Sequence, residues 1–237
     1  MNTPAMQIVL LRHGRSEWNR SGRFTGWADI ALSDRGLADA GRAGQRLAAA
    51  GNVFDEVHVS LLRRTHQTAH AVLAAMHHPA VPTPVSWRLN ERHYGQLQGM
   101  DHHEIAARWG EENFRLWRRG YLRAPPKLEM DDPRHPRFNP LFAGLEAVRT
   151  PFSESLSDCQ RRLLPWWNET ALPRLRAGKC LLMVSHGNTL RSLVMHLEHI
   201  APDAIEHVEI PSGVPLAYTL DDELHVLSKE WLGDAPT

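Results

Sequence analysis

Two short stretches of this chain share one pattern. In Ile8-Val9-Leu10-Leu11-Arg12-His13-Gly14 and in Leu181-Leu182-Met183-Val184-Ser185-His186-Gly187, an apolar run is followed by one residue and then His-Gly. Either histidine alone reads as a satisfied strand-end residue. Two at equivalent places read as a site, because open parallel sheets bind ligands outside the carboxyl ends of their strands. A glycine after each lets the backbone turn sharply and approach a ligand closely. A metal is the first chemistry to weigh, but no His-Glu-x-x-His is present and neither histidine has a strand-end aspartate beside it. Arg12 repels a cation and suits an anion. A guanidinium beside an imidazole also favours the neutral ring, whose free pKa is about 6.5. A neutral ring nitrogen is a competent nucleophile towards phosphorus. The pattern therefore points to a phosphoryl group.

Other residues fit the same chemistry. Arg64 stands just beyond the apolar run that ends near Ser60. Asn188 and Thr189 open a helical stretch, where free N–H groups and the helix dipole attract anions. Arg118-Arg119-Gly120 closes another. Guanidinium groups bind phosphate through paired, charge-assisted hydrogen bonds. A leaving oxygen also needs a proton donor. Glu91, in Leu89-Asn90-Glu91-Arg92-His93-Tyr94-Gly95, is the best candidate, in a loop after an expected strand Val85–Trp87. The pairs His77-His78 and His102-His103 lack regular ligand spacing and read as surface histidines.

These residues need a scaffold. The runs Ile8–Leu11, Val57–Val59 and Leu181–Val184 read as strands buried on both faces of a parallel sheet. Each leads into a helical stripe: Leu37, Ala40, Gly44 and Leu47 after Ser33, with Gly51 as the stop; Leu62, Ala69, Leu73 and Met76 after Ser60; Leu190, Leu193, Val194 and Leu197 after Asn188. Alternation of this kind predicts an α/β fold, a three-layer sandwich with a mostly parallel central sheet flanked by helices. Residues 101–122 read as helices, and 124–152 hold Pro125, Pro126, Pro133, Pro136, Pro140 and Pro151. Too long for a tight connection, this region reads as a helical and irregular lid inserted at about 95–152 into one domain spanning 1–237.

Composition sets the limits. At 237 residues the chain can bury a full core without staples. Lys and Arg together number 27, as do Asp and Glu, so the basic excess of a nucleic-acid binder is missing. Mean hydropathy of -0.40 and the lack of a long apolar run argue against a membrane protein. Two cysteines, Cys159 and Cys180, fit a reducing compartment. No signal peptide is read at the start, so a cytoplasmic protein is expected.

Taken together, Leu11-Arg12-His13-Gly14 with Ser16, Trp18, Asn19 and Arg23-Phe24-Thr25-Gly26-Trp27 resembles the histidine phosphatase superfamily. Leu89–Gly95 with Leu97-Gln98-Gly99, Trp117-Arg118-Arg119-Gly120, Ser185-His186-Gly187-Asn188 and Ile210–Leu216 are similar, within it, to cofactor-dependent phosphoglycerate mutase. The resemblance runs from about residue 6 to 233. It implies phosphoryl transfer through a phosphohistidine on His13, with Arg12, Arg64 and His186 holding the group and Glu91 as acid and base. Ser16, Asn19, Thr25, Gly26, Gly187 and Asn188 would line the pocket. Tyr94, His102, Arg118 and Arg119 would face the glycerate carboxylate or a second phosphate. It further implies 2,3-bisphosphoglycerate as primer, no metal, a small phosphorylated substrate and a dimer or tetramer.

Three departures bear on the reaction. Arg15 stands where the family has a glutamate. His102 stands where it has a lysine, so a fixed cation becomes a titratable group. The chain also stops soon after Trp231-Leu232-Gly233, and a shorter end over the site would admit water. The first expectation is an isomerase interconverting 2- and 3-phosphoglycerate in glycolysis and gluconeogenesis. The alternative is a metal-independent phosphatase of a small phosphorylated metabolite, in which water receives the phosphoryl group.

Overall fold

A computed structural model describes residues 5–145 and 150–234. Five strands form one sheet in the order β2-β3-β1-β4-β5: β1 (Met6–Arg12), β2 (Glu56–Val59), β3 (Leu181–Ser185), β4 (Leu216–Leu220) and β5 (Val226–Trp231). β2, β3 and β1 pair parallel, while β4 lies antiparallel to both β1 and β5. Four of the five strands therefore run the same way. The expected α/β sheet is present, and its three central strands are the predicted ones.

Both faces of these strands are buried, which is why they read as continuous apolar runs and not as alternating ones. Ile8, Leu10, Leu181 and Met183 pack on one side with Trp167, Leu190 and Leu193. Val9, Leu11, Val57, Leu182 and Val184 pack on the other with Leu47, Val72 and Leu73. Each fully buried aliphatic side chain contributes about 1.5–3 kcal/mol of transfer free energy.

The predicted helices are α2 (Asp34–Ala49), α3 (Arg63–Ala75) and α8 (Gly187–Leu197), preceded by a single turn α1 (Glu17–Arg20). Ser33 caps α2 by accepting a hydrogen bond from the Gly36 N–H at 3.1 Å. Gly51, at φ 73°, takes the left-handed conformation that stops it. Ala40, Gly44 and Leu47 face the core as expected, but Leu37 is 39% exposed. Gly36 and Ala43 are buried on that face instead.

The expected strand Val85–Trp87 is a correction. Val85 makes one isolated bridge to Val59, and Trp87–Leu89 is a 3-10 turn. The carbonyls of Pro82 and Pro84 accept from the Val57 and Val59 N–H groups. Proline has no N–H to return, so no ladder propagates along this edge.

The middle segment supplies α4 (His102–Trp109), α5 (Glu111–Arg119) and two 3-10 turns, Pro136–Phe138 and Pro140–Phe142. It packs on the rest of the molecule in two places. Leu97, Ile105 and Trp117 join Phe24 and Tyr94, while Phe142 joins Trp27 and Leu62. Residues 146–149 of the expected lid lie outside the described residues. After it come α6 (Leu156–Trp166) and α7 (Leu172–Arg176), joined by a π-helical turn. Among the described residues no helix is long and apolar enough to cross a membrane.

Candidate active site

Sheet register brings the two histidines together. Arg12 is the partner of Ser185 across the β1–β3 ladder. The next residues, His13 and His186, therefore leave adjacent strand ends side by side, with ring centroids 5.0 Å apart. Gly14 is required here by crowding. A Cβ at that position would stand 2.1 Å from the Gly36 carbonyl oxygen. The start of α2 thus presses on the loop behind His13. This packing, and not approach to a ligand, is the local reason for the glycine.

The hydrogen bonds fix both rings as neutral tautomers. His13 donates from Nδ1 to the carbonyl of its neighbour Gly14 at 2.7 Å, leaving Nε2 with a lone pair. His186 donates from Nε2 to Ser60 Oγ at 2.8 Å and presents Nδ1 as an acceptor. The Nε–H of Arg64 sits between them, 3.3 Å from His13 Nε2 and 3.2 Å from His186 Nδ1. Burial holds the pKa of both imidazoles well below the usual 6.5, and the Arg64 charge lowers each further. His13 Nε2 is therefore unprotonated at neutral pH.

Arg64 is built in from all sides. It lies in the first turn of α3, is 1% exposed, and donates to the carbonyls of Ala28 and Gly26 at 2.8 and 2.9 Å. Burial draws its pKa down to about 10, which leaves it a cation at neutral pH. Arg12 donates from one Nη to the Ile210 carbonyl at 2.9 Å. Its Nε is buried without a partner, as is Thr25 Oγ1. Unpaired buried polar groups are costly, so both atoms mark places where a ligand would complete the bonding.

Glu91 hangs from the α8 N-terminus. Its Oε1 accepts from the Arg92 N–H at 2.8 Å and the Asn188 N–H at 3.2 Å. This corrects one expectation: the Asn188 N–H is already committed to the Glu91 carboxylate and is not open to an incoming anion. Thr189 likewise turns its hydroxyl to the Asn90 carbonyl at 2.6 Å. Among the described residues the other Glu91 oxygen has no hydrogen-bond partner, and the residue lines the same cavity as His13.

That cavity measures about 190 Å³ and is lined by six arginines, at positions 12, 23, 64, 118, 119 and 191, against two glutamates, 91 and 209. The excess of fixed cations calls for an anionic ligand. Asn19, Thr25, Gly26, Tyr94, His102, Gly187 and Asn188 complete the lining. His186 stands behind His13, fully buried. Of the expected site residues, Ser16 lies away from both the cavity and the histidine pair. It is absent from the cavity wall and caps α1, where its Oγ accepts from the Asn19 N–H at 3.2 Å. Among the described residues no three His, Cys, Asp or Glu side chains are placed to hold a metal ion.

The model of the histidine phosphatase superfamily (branch 1) matches residues 8–148 and 128–219 of this sequence. The chain belongs to that superfamily. Three solved structures share the fold. A mycobacterial glucosyl-3-phosphoglycerate phosphatase, in complex with VO3, is 23% identical with a TM-score of 0.69, over 90% of this chain and 92% of its own. The alpha-ribazole phosphatase from Shigella flexneri is 21% identical with a TM-score of 0.63, over 93% of each chain. A protein titled mycobacterial hydrolase 1 is 20% identical with a TM-score of 0.73, over 98% of this chain and 100% of its own.

Away from the histidine pair, the site of this superfamily member is less regular. Tyr94 accepts a hydrogen bond from Asn188 Nδ2 at 2.8 Å, and Arg191 holds Asn188 Oδ1 at 2.9 Å. Arg118 is exposed and lies over the Phe114 ring at 5.9 Å. Arg119 is not free: its Nη2 lies 2.6 Å from a Glu209 carboxylate oxygen, and its Nε donates to the Glu206 carbonyl at 3.0 Å. His102 packs edge-on against Phe24, with centroids 4.6 Å apart. Burial, with the Arg118 charge, lowers its pKa to about 4. The titratable group that stands in the lysine's place is therefore a neutral ring at physiological pH.

Four residues of the site region escaped the sequence reading. Arg191 lies on α8 three residues after Asn188, hidden inside an otherwise apolar stripe. Glu209 belongs to no motif. Arg23 lies within the quoted Arg23–Trp27 motif and lines the cavity, although the motif gave it no role. Arg162, on α6, lies behind the Glu91 loop, where its Nη2 donates to the Asn90 and Glu91 carbonyls at 2.9 Å each. It also pairs with buried Glu154 at 2.7 Å. Trp27 adds a third tie, donating from Nε1 to the Glu91 carbonyl at 2.5 Å.

Proposed function

We propose that the protein is a metal-independent phosphatase of a small phosphomonoester, working through a phosphohistidine on His13. The observation that carries this reading is the unprotonated Nε2 of His13, opening on a cavity of fixed cations with the Glu91 carboxylate across it. Its alternative, the mutase, has the same phosphoryl chemistry. The two differ in what receives the phosphoryl group.

In the first step His13 Nε2 attacks phosphorus and the P–O bond to the alcohol breaks. Its electron pair goes to the leaving oxygen, which takes a proton from Glu91. Arg12 and Arg64 hold the non-bridging oxygens, and such electrostatic positioning is most of the catalysis in phosphoryl transfer. In the second step water attacks the phosphohistidine, Glu91 takes a proton from that water, and the P–N bond returns its electrons to His13. Inorganic phosphate leaves, and Glu91 is protonated again.

A mutase cycle needs the product to stay, turn and receive the phosphoryl group back, so it needs a firm grip on a second anion. The anchors assigned to that task by resemblance are His102, Arg118 and Arg119. One is a neutral ring, one is already paired with Glu209, and Arg118 alone offers an unpaired cation. These residues fit 2,3-bisphosphoglycerate poorly as a primer. Two of the structures that share the fold are named as phosphatases, which supports the same choice.

The test mixes the protein with 3-phosphoglycerate and with simple phosphomonoesters, with and without 2,3-bisphosphoglycerate. Inorganic phosphate and 2-phosphoglycerate are measured in parallel, and intact-mass spectrometry follows the phosphoenzyme. The expected result is primer-independent phosphate release with the label on His13. Primer-dependent isomerisation with little phosphate release would overturn it.

A further inference from the structure

The Glu209 carboxylate lines the same cavity as six arginines, and nothing in the proposed reaction uses it. It follows the 3-10 turn Ala204–His207 and precedes Ile210, whose carbonyl holds Arg12. Its side chain is 52% exposed and forms part of the cavity wall. Arg119 is held from two sides, by the Glu206 carbonyl at 3.0 Å and by the Glu209 carboxylate at 2.6 Å. The Arg119 carbonyl accepts from Arg191 Nη2 at 2.7 Å, which locks this pairing to α8. Burial lowers the pKa of Arg12 and of Arg191, and the Glu209 charge partly offsets both. The carboxylate therefore acts on three cations of one wall.

Resting on the phosphatase reading, we infer that Glu209 is a specificity-determining residue, a resident carboxylate that occupies Arg119 and selects phosphomonoesters whose alcohol part offers hydroxyl or ammonium donors over those carrying a second anionic group. Two effects act in the same direction. An incoming carboxylate or phosphate would have to displace Glu209 from Arg119, or sit beside it as a like charge. A hydroxyl or ammonium group would instead donate to the second Glu209 oxygen, an acceptor that carboxylates keep open. The neutral His102 ring, packed against Phe24, removes another cation that a second anion would have required.

Two probes differ at the relevant carbon alone. Glycerol 3-phosphate carries a hydroxymethyl group where 3-phosphoglycerate carries a carboxylate. Their dissociation constants are measured by calorimetry on His13→Ala, which cannot turn either over, and on His13→Ala/Glu209→Gln. The expected result is at least tenfold tighter binding of glycerol 3-phosphate in the first protein. In the second, that preference falls to threefold or less, because 3-phosphoglycerate gains affinity. Adding Glu223→Gln, at an exposed position in the turn between β4 and β5, is expected to leave the ratio unchanged.

An unmoved ratio in the Glu209→Gln protein, a first-protein preference for 3-phosphoglycerate, or no binding of glycerol 3-phosphate would each overturn the inference. Turnover is read separately, on the wild-type protein with 4-nitrophenyl phosphate. Absence of phosphate release there sinks the phosphatase reading, while the binding ratio still decides the role of Glu209.

Discussion

The two ends of the cavity are built in different ways. At the phosphoryl end His13, His186 and Arg64 are each 3% exposed or less, and their polar atoms are tied to backbone carbonyls, to Ser60 and to one another. At the alcohol end Arg118 is exposed, Glu209 is half exposed, and the contacts run between side chains of α5 and the loop before Ile210. The phosphoryl end hangs from strand ends, whose positions follow from sheet register. The alcohol end hangs from an inserted segment packed on aromatic residues. On the proposed function, the group common to every phosphomonoester is met by the buried cradle. The part that differs between substrates is met by side chains that can change without disturbing the sheet.

This contrast predicts a steep gradient of mutational effects. The largest belongs to His13→Ala, expected to abolish phosphoenzyme formation and to reduce turnover to background. Intact-mass spectrometry after mixing with substrate checks it, and substantial labelling of another residue would refute the cradle as described. Glu91→Gln comes next. Loss of a general acid and base costs about 10²–10⁴ in rate, so kcat should fall by that factor while the phosphoenzyme, once formed, persists for longer. Burst kinetics with a good leaving group separates the two steps.

Arg162→Met tests the support behind that end. The substitution leaves Glu154 as an uncompensated buried charge, a class of change that costs about 3–5 kcal/mol. Urea denaturation should show that loss, and Glu154→Gln in the same protein should restore part of it. Because the guanidinium also holds the Glu91 carbonyl, kcat should fall more than KM rises. A fall in stability with unchanged kcat would reduce Arg162 to a purely structural role.

How much of this was legible in the sequence follows the same division. The phosphoryl end was readable because it is local: an apolar run ends, and the next residues are Arg12-His13-Gly14 or Ser185-His186-Gly187. Arg64 was readable because it lies in the first turn of the helix that follows a strand. The structure added the tautomers, the bifurcated Arg64 Nε–H and the bond from the Asn188 N–H to Glu91, none of which spacing encodes. Arg162 and Glu209 were not readable, because each reaches its site partner across a long stretch of chain, and Arg191 was hidden in an apolar helical stripe. Ser16 misled because its place in a motif reflects a helix cap. Val85–Trp87 misled because a β-branched and aromatic run was weighed without the prolines that strip the preceding edge of donors. β4 and β5 escaped because β4 alternates and β5 is an exposed edge, so neither shows the unbroken apolar run of the three strands that were found.

Buried imidazoles, in the histidine pair and elsewhere in the molecule, make the fold sensitive to acid. His93 has its pKa lowered to about 3 and His58 to about 4, both chiefly by burial, and those of His13 and His186 lie well below 6.5. In the unfolded chain each would titrate near 6.5. Above that pH neither state binds the proton and stability does not depend on these groups. As pH falls from about 6.5 towards 4, the unfolded chain takes up protons that the folded protein refuses. Stability should therefore decline, by at most about 1.4 kcal/mol per pH unit for each such histidine. Urea midpoints at pH 7, 6 and 5 give the slope, and a flat profile would show that the rings are protonated in the folded state.

The smallest expected effect sharpens the comparison most, because it touches the alcohol end alone. His102→Lys places a cation against Phe24 and near Arg118, where the wild-type ring is neutral. If the alcohol end is set by side chains that change independently of the cradle, the variant should bind 3-phosphoglycerate several-fold more tightly than the wild type does. Its kcat with 4-nitrophenyl phosphate, which has no second anion, should change by less than twofold. The new ammonium also competes with Arg118 for one anion, so the gain should stay below that of Glu209→Gln, which removes a repulsive charge and frees Arg119 together. Equal effects on both substrates would mean that the α4 side of the cavity is coupled to the histidine pair, and the two ends would have to be treated as one unit.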